Sequence, residues 1–185
     1  MLHSCNAITF TAYRIPKYAN EAWHISNLLS PIECDTNRLD CLARSSGGRM
    51  LRSETPSKRE YAINTEFSLY IAYRTLPLVE HLLQQPCRVL HTFESLYDAG
   101  DVLVPHVDRE PLEWTLSIML GDDMSSAGEC ELLSLGDQSL PVIICGSSGD
   151  AVLFPGRKIP HWRQTPCPHR LVTLLVHYLE SAVDL

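Results

Sequence analysis

The run VPHVDREPLEWTLSIML, Val104–Leu120, decides how the rest of the chain is read. Its second half, Trp114–Leu120, is dense in apolar side chains and suits a buried strand. Its first half sets His106 and Asp108 two residues apart. In a strand, residues i and i+2 point to the same face, so the imidazole and the carboxylate are aimed at one place. Two such groups bind a metal, form a proton relay or cap a turn. The surrounding sequence has to choose.

Working outward, short runs of this texture recur from Arg88 to Tyr178. They are RVLHTFESLY, VLVPHV, EWTLSIML, ECELLSL, LPVIIC, DAVLF, IPHWRQ and RLVTLLVHY, separated by Gly-, Pro-, Ser- and Asp-rich turns. Short strands at this spacing make a sandwich or barrel, and eight of them suit a cupin-like jelly roll whose two sheets enclose a site. The first half is mixed. AITFTAYRI alternates like a short strand, NEAWHISNLL reads as the opening of an amphipathic helix, and residues 34–61 read as a polar loop. EFSLYIAYRTLPLVEHLLQQ has helical spacing interrupted at Pro77, as two helices or one with a kink. The expected fold is therefore mainly β with flanking helices (α+β). One domain spans residues 1–185, with residues 1–87 laid against a core at 88–178.

Composition narrows the function. With 185 residues, 45% of them hydrophobic and 20% charged, the chain is long enough for one full core and ordinary for a globular protein. A formal charge of −7 argues against nucleic acid as a partner. No apolar run approaches the roughly 20 residues that cross a bilayer, so no membrane partner is expected. The opening MLHSCNAITFTAYRIPKY lacks the pattern of a signal peptide, which points to the cytoplasm. Seven cysteines without CxxC spacing exclude a zinc ribbon. Cys130 and Cys145 read as small apolar strand residues, and Cys34 would pair with Cys41 only in an oxidising compartment.

A second histidine completes the constellation. His161 stands in FPGRKIPHWRQTPCPHR, on a short strand before a proline-rich turn. Two imidazoles and one carboxylate form the facial triad of non-haem Fe(II) oxygenases, which leaves the opposite coordination positions open.

With these residues in view, the segment from about Leu90 to Tyr178 resembles the catalytic core of the Fe(II)/2-oxoglutarate-dependent dioxygenases, nearest to the prolyl-4-hydroxylase-like type. SLYDAGDVLVPHVD is similar to that family's tyrosine–glycine–HxD run, and WTLSIML to the threonine-bearing strand after it. AGECELL resembles its Gly-Gly-Glu-Leu strand, with Ala127 in place of the first glycine. GDAVLFPGRKIPHWRQTPCPHRLVTLLVHY resembles the strand, distal histidine and following basic residue. The resemblance implies Fe(II) ligands His106, Asp108 and His161, which are also the catalytic centre. It implies that Arg170 pairs with the distal carboxylate of the cosubstrate 2-oxoglutarate, assisted by Tyr97 and Thr115. Val172 stands where many relatives place a serine, which removes one donor to that carboxylate.

The implied chemistry consumes O2, converts 2-oxoglutarate to succinate and CO2, and oxidises an unactivated C–H bond, by default to the alcohol. Asp108 disfavours halogenation, since related halogenases give that position to halide. Val176 disfavours nucleic-acid demethylation, whose enzymes carry a second arginine there. The expected substrate is a small molecule such as an amino acid or biosynthetic intermediate. Three readings stand beside it: a peptidyl or protein side-chain hydroxylase, an Fe(II)/O2 oxidase of the same fold without 2-oxoglutarate, and a non-catalytic cupin-like binding module. Arg109 either reaches substrate or is a solvated turn residue, and Trp162 either lines the pocket mouth or packs. His91 and His177 read as core or as support to the ligands. The arginines between Arg38 and Arg59 mark either a lid for a carboxylate-bearing substrate or a solvated loop.

Overall fold

The computed structural model describes residues 10–18, 21–54, 58–122, 130–165 and 169–181; Ala127 lies outside them. The first half contributes β1 (Thr11–Arg14), β2 (Trp23–Ser26), α1 (Pro31–Ser46), β3 (Leu51–Ser53), β4 (Arg59–Ile63) and α2 (Glu66–Leu83). The second half contributes β5 (Cys87–Tyr97), β6 (Leu103–His106), β7 (Trp114–Asp122), β8 (Cys130–Leu135), β9 (Val142–Gly146), β10 (Ala151–Phe154), β11 (His161–Arg163) and β12 (Leu171–Glu180). Each of the eight expected strand runs is present.

Among those eight the pairing runs from the outside in, always antiparallel. β5 pairs with β12, β6 with β11, β7 with β10, and β8 with β9. The result is a larger sheet ordered β1-β2-β10-β7-β12-β5-β4-β3 and a smaller one ordered β6-β11-β8-β9. The N-terminal strands thus extend both edges of the larger sheet.

Side-chain alternation on the central strands gives each face its role. On β7, Leu116, Ile118 and Leu120 pack in one buried cluster with Cys34 and Cys41 of α1 and Ile71, Ala72 and Val79 of α2. The other face of β7 turns Thr115 and Ser117 into a cavity between the sheets, where Thr173, Leu175 and His177 of β12 join them. A second apolar cluster, with Tyr97, Met119, Phe154 and Leu171 of the larger sheet and Leu103, Leu133 and Leu135 of the smaller, seals the sandwich. This is the two-layer solution that buries a sheet on both faces.

Two expectations for the first half are corrected. NEAWHISNLL holds a strand, not a helix: Trp23 and Ile25 are buried, His24 and Ser26 are not, and β2 pairs with both β1 and β10. Four alternating residues within an apolar run satisfy either period, and the open sheet edge selects the strand. The described residues of 34–61 are not a loop. Ser30 caps α1 through a capping box with Glu33, with Pro31 at the first turn, and the β3–β4 hairpin follows. α2 is a single helix that carries Pro77 inside it. No helix of the described residues is long and apolar enough to cross a membrane.

Candidate active site

His106 ends β6 and His161 begins β11, and these two residues face each other across the strand pair. Their rings lie 4.2 Å apart between centroids. His106 Nδ1 lies 2.9 Å from the Val104 carbonyl, and His161 Nδ1 lies 3.1 Å from that of Ile159. A carbonyl only accepts, so each Nδ1 carries the proton and each Nε2 keeps a lone pair for a metal. Burial pushes the His161 imidazole down to about 4, against the opposing pull of Asp108, so it is neutral near pH 7.

Asp108 supplies the third donor. Candidate ligand atoms of His106, Asp108 and His161 all lie within 4.8 Å of one another. The Asp108 N–H donates to the Gly156 carbonyl at 2.9 Å, which ties the carboxylate's backbone to the β10–β11 connection. Its Oδ2 accepts from Thr115 Oγ1 at 2.6 Å, leaving Oδ1 3.8 Å from His161 Nε2. His177 Nδ1 is 3.1 Å from the same Thr115 oxygen. Thr115 has one proton and gives it to Asp108, so His177 is the donor in that second bond. Burial drives the His177 pKa down to about 3, which keeps this imidazole neutral. The chain His177–Thr115–Asp108 thus sets which carboxylate oxygen is free. Gly156 leaves the room: a Cβ there would fall 2.0 Å from Asp108 Oδ2 and 2.7 Å from Thr115 Oγ1. Two imidazole nitrogens and a carboxylate oxygen, oriented from behind, fit a first-row divalent metal such as Fe(II).

The triad opens into a cavity of about 410 Å³. Among the described residues its charged lining is Arg59, Arg109 and Arg163 against one carboxylate, Asp108. In a chain of net charge −7, that is a local cationic chamber. Tyr97 stands between two of the guanidinium groups. Arg59 Nη1 donates to its hydroxyl at 3.3 Å, and the Arg163 guanidinium lies 4.4 Å from its ring centroid. Arg163 is 2% exposed, and its Nε and Nη2 have no hydrogen-bond partner among the described residues.

Of the residues singled out from sequence, His106, Asp108, His161, Tyr97, Thr115 and Arg109 line this cavity together. Thr115 bonds to Asp108 itself, a different post from the cosubstrate contact expected of it. Arg170 is not brought there. It precedes the first residue of β12, with Nε on Asp98 at 3.2 Å and Nη2 on Ser45 at 3.0 Å. The inward place at that end of the strand belongs to Leu171, which is buried beside Tyr97 and Leu103. Trp162 also faces away from the cavity. It alternates with His161 and Arg163 on β11, is buried, and donates from Nε1 to Gln164 at 3.3 Å. The arginine-rich segment contributes only Arg59 to the cavity lining. Arg38 and Arg44 lie on α1, bonded to Asp35, and to Asp40 and Glu94, while Arg52 bonds Glu60. In place of a lid loop, the β3–β4 hairpin brings Ser53, Arg59 and Tyr61 to the cavity wall. Cys34 and Cys41 are free thiols on one helix, raised by burial to about 12 and about 11.

Sequence reasoning passed over Arg163 and Gly156. For Arg163 the signal was present: it stands two residues after His161 in a run read as a strand, hence on the same face. Nothing local marks Gly156, because its need is set by Asp108, distant in sequence.

No family model matches the sequence, and no curated protein matches it. Solved structures share the fold. A Pseudomonas putida prolyl-4-hydroxylase aligns with TM-score 0.68 at 12% identity, covering 88% of this chain and 94% of that one. The non-haem α-ketoglutarate-dependent epimerase SnoN of nogalamycin biosynthesis aligns at 0.70 and 14%, covering 89% and 80%. HygX of Streptomyces hygroscopicus, solved with nickel, 2-oxoglutarate and hygromycin B bound, aligns at 0.65 and 12%, covering 91% and 86%. The fold is that of the prolyl-4-hydroxylase-like Fe(II)/2-oxoglutarate-dependent oxygenases.

Proposed function

We propose that this chain, with the fold of the Fe(II)/2-oxoglutarate-dependent oxygenases, hydroxylates an unactivated C–H bond of a small molecule. The observation that carries the reading is the triad itself: His106, Asp108 and His161 converge, with both Nδ1 atoms and Asp108 Oδ2 tied back, at the wall of a cationic cavity. His106, Asp108 and His161 would hold the iron. When bound, iron and 2-oxoglutarate supply the oxidant, with O2 and 2-oxoglutarate consumed, succinate and CO2 released, and one oxygen atom transferred to the C–H carbon.

The chain's own residues do the positioning. Thr115 and His177 hold the Asp108 carboxylate, and the Val104 and Ile159 carbonyls hold the imidazole tautomers. Buried apolar neighbours such as Phe154, Leu103 and Leu133 exclude water from the inner wall. A chamber of about 410 Å³, bordered by the β3–β4 hairpin, suits small ligands and favours a small substrate over a protein side chain. The eight strands β5–β12 read as one double-stranded β-helix (jelly roll), within a single domain that includes the N-terminal elements. The acidic balance speaks against nucleic acid, and the free thiols suit a cytoplasmic setting.

The test is succinate release from 2-oxoglutarate by the iron-loaded protein under air, with a panel of small carboxylic and amino acids. His161→Ala is expected to abolish release and lower Fe(II) affinity at least tenfold. Near-normal activity in that variant rejects the assignment.

A further inference from the structure

We infer that Arg163, in β11, anchors the distal carboxylate of the 2-oxo acid cosubstrate, the post that the family resemblance implies for Arg170. The inference rests on the oxygenase reading above and adds a residue to it.

Strand geometry places the side chain. His161 and Arg163 share one face of β11, and both line the cavity. Two strand residues span about 6.7 Å, on the order of the length of a five-carbon dicarboxylate. A ligand held at its 2-oxo end beside His161 therefore reaches Arg163 with its other end.

Burial and unmet bonding say what Arg163 is for. Among the described residues its Nε and Nη2 donors are without partners, at 2% exposure. A buried guanidinium short of acceptors is costly, and a carboxylate meets two of its donors at once. Next to it, the Tyr97 hydroxyl accepts from Arg59 and keeps its own proton free for the same carboxylate. Arg163 pairs in register with Leu103, at the opposite end of β6 from His106, in the apolar floor of the chamber. Arg109, by contrast, is exposed, at the solvent side of the chamber. A ligand held at the triad and enclosed by the chamber floor meets the deep post, and a substrate carboxylate entering from solvent would meet the outer one. Arg170, engaged by Asp98 and Ser45 outside the cavity, does neither.

The experiment compares affinities for 2-oxoglutarate and 2-oxobutyrate, which lacks the distal carboxylate. Both are titrated calorimetrically and without oxygen into Fe(II)-loaded wild type, R163M, R163K and R170M. Wild type is expected to prefer 2-oxoglutarate strongly. R163M should lose that preference, with 2-oxoglutarate weakened about a hundredfold, 2-oxobutyrate little changed, and Fe(II) still bound at one equivalent. R163K should recover part of the loss, because the charge survives and the fork does not. R170M should stay within about threefold of wild type. If R163M and R163K keep the wild-type preference while R170M loses it, Arg170 is the anchor and the inference falls. If every variant keeps the preference and R163M fails only in product formation, Arg163 serves the substrate and the inference likewise falls. If wild type binds Fe(II) but not 2-oxoglutarate, the oxygenase reading fails first and takes the inference with it.

Discussion

At the scale of single residues, the site depends on what stands behind the ligands. Thr115 donates its only proton to Asp108 Oδ2, and His177 donates to Thr115 in turn. Removing such a support typically costs ten- to a hundredfold in metal affinity. Thr115→Val keeps the shape and deletes the donor, so Fe(II) affinity is expected to fall by about that factor, measured by metal titration of the apoprotein. Gly156→Ala tests the same carboxylate from the other side. Its Cβ would need the space held by Asp108 Oδ2, 2.0 Å away, and Asp108 must rotate or retreat. A loss of Fe(II) affinity with an unchanged far-ultraviolet spectrum is the expected outcome. Affinity equal to wild type in both variants would show that the free Asp108 oxygen is not set by these contacts.

At the scale of elements, β11 is only three residues long and yet carries both His161 and Arg163. Its far end is fixed by Glu131 of β8. That buried carboxylate accepts from the N–H groups of Gln164 at 3.2 Å and Thr165 at 2.7 Å, and from Ser134 Oγ at 2.7 Å. Burial alone would raise its pKa, but these bonds outweigh burial and hold the group below the usual carboxylate range. A depressed folded pKa gives stability that is fully present above the unfolded value, about 4.3, and lost as pH falls through the folded one. Glu131→Gln should therefore cost about 2 kcal/mol at pH 7 and flatten the acid limb of the stability curve. Urea denaturation at pH 7 and below pH 4 checks both parts. An equal loss at the two pH values would rule out the ionised carboxylate as the source.

At the scale of the whole molecule, the candidate site joins the two sheets. His106, His161 and Arg163 come from the smaller sheet, and Tyr97, Thr115 and His177 from the larger. Ligands that bind only the closed sandwich stabilise it by mass action. At a hundredfold excess over Kd that is about 2.7 kcal/mol per ligand, or roughly 5–10 °C in melting temperature for a chain of this length. Fe(II) with 2-oxoglutarate, two ligands, should therefore raise the melting temperature by roughly 10–20 °C, and chelation should return it. A melting temperature indifferent to both would place the ligands outside the folded cavity. How much of this was legible beforehand follows from the reach of each signal. The eight strands of the second half rest on short β-branched and aromatic runs between turn signals, which adjacent residues carry by themselves. Asp108, by contrast, stands just past the end of β6 and is held towards His161 by Thr115 and the Gly156 carbonyl. The capping box of Ser30 and Glu33 is local too, but the reading of residues 34–61 as a loop passed over it. The β2 strand was not, because four alternating residues become a strand only where β1 and β10 offer unpaired backbone. The sequence by itself determined the alternation, and with it His161 and Arg163 on one face. Which basic residue enters the cavity, and that Gly156 must lack a side chain, were decided only in the tertiary structure. The inward place beside Tyr97 is filled by Leu171, and the room at Gly156 is taken by a carboxylate far away in the chain. Both are facts of volume, and volume is shared between segments that sequence order keeps apart.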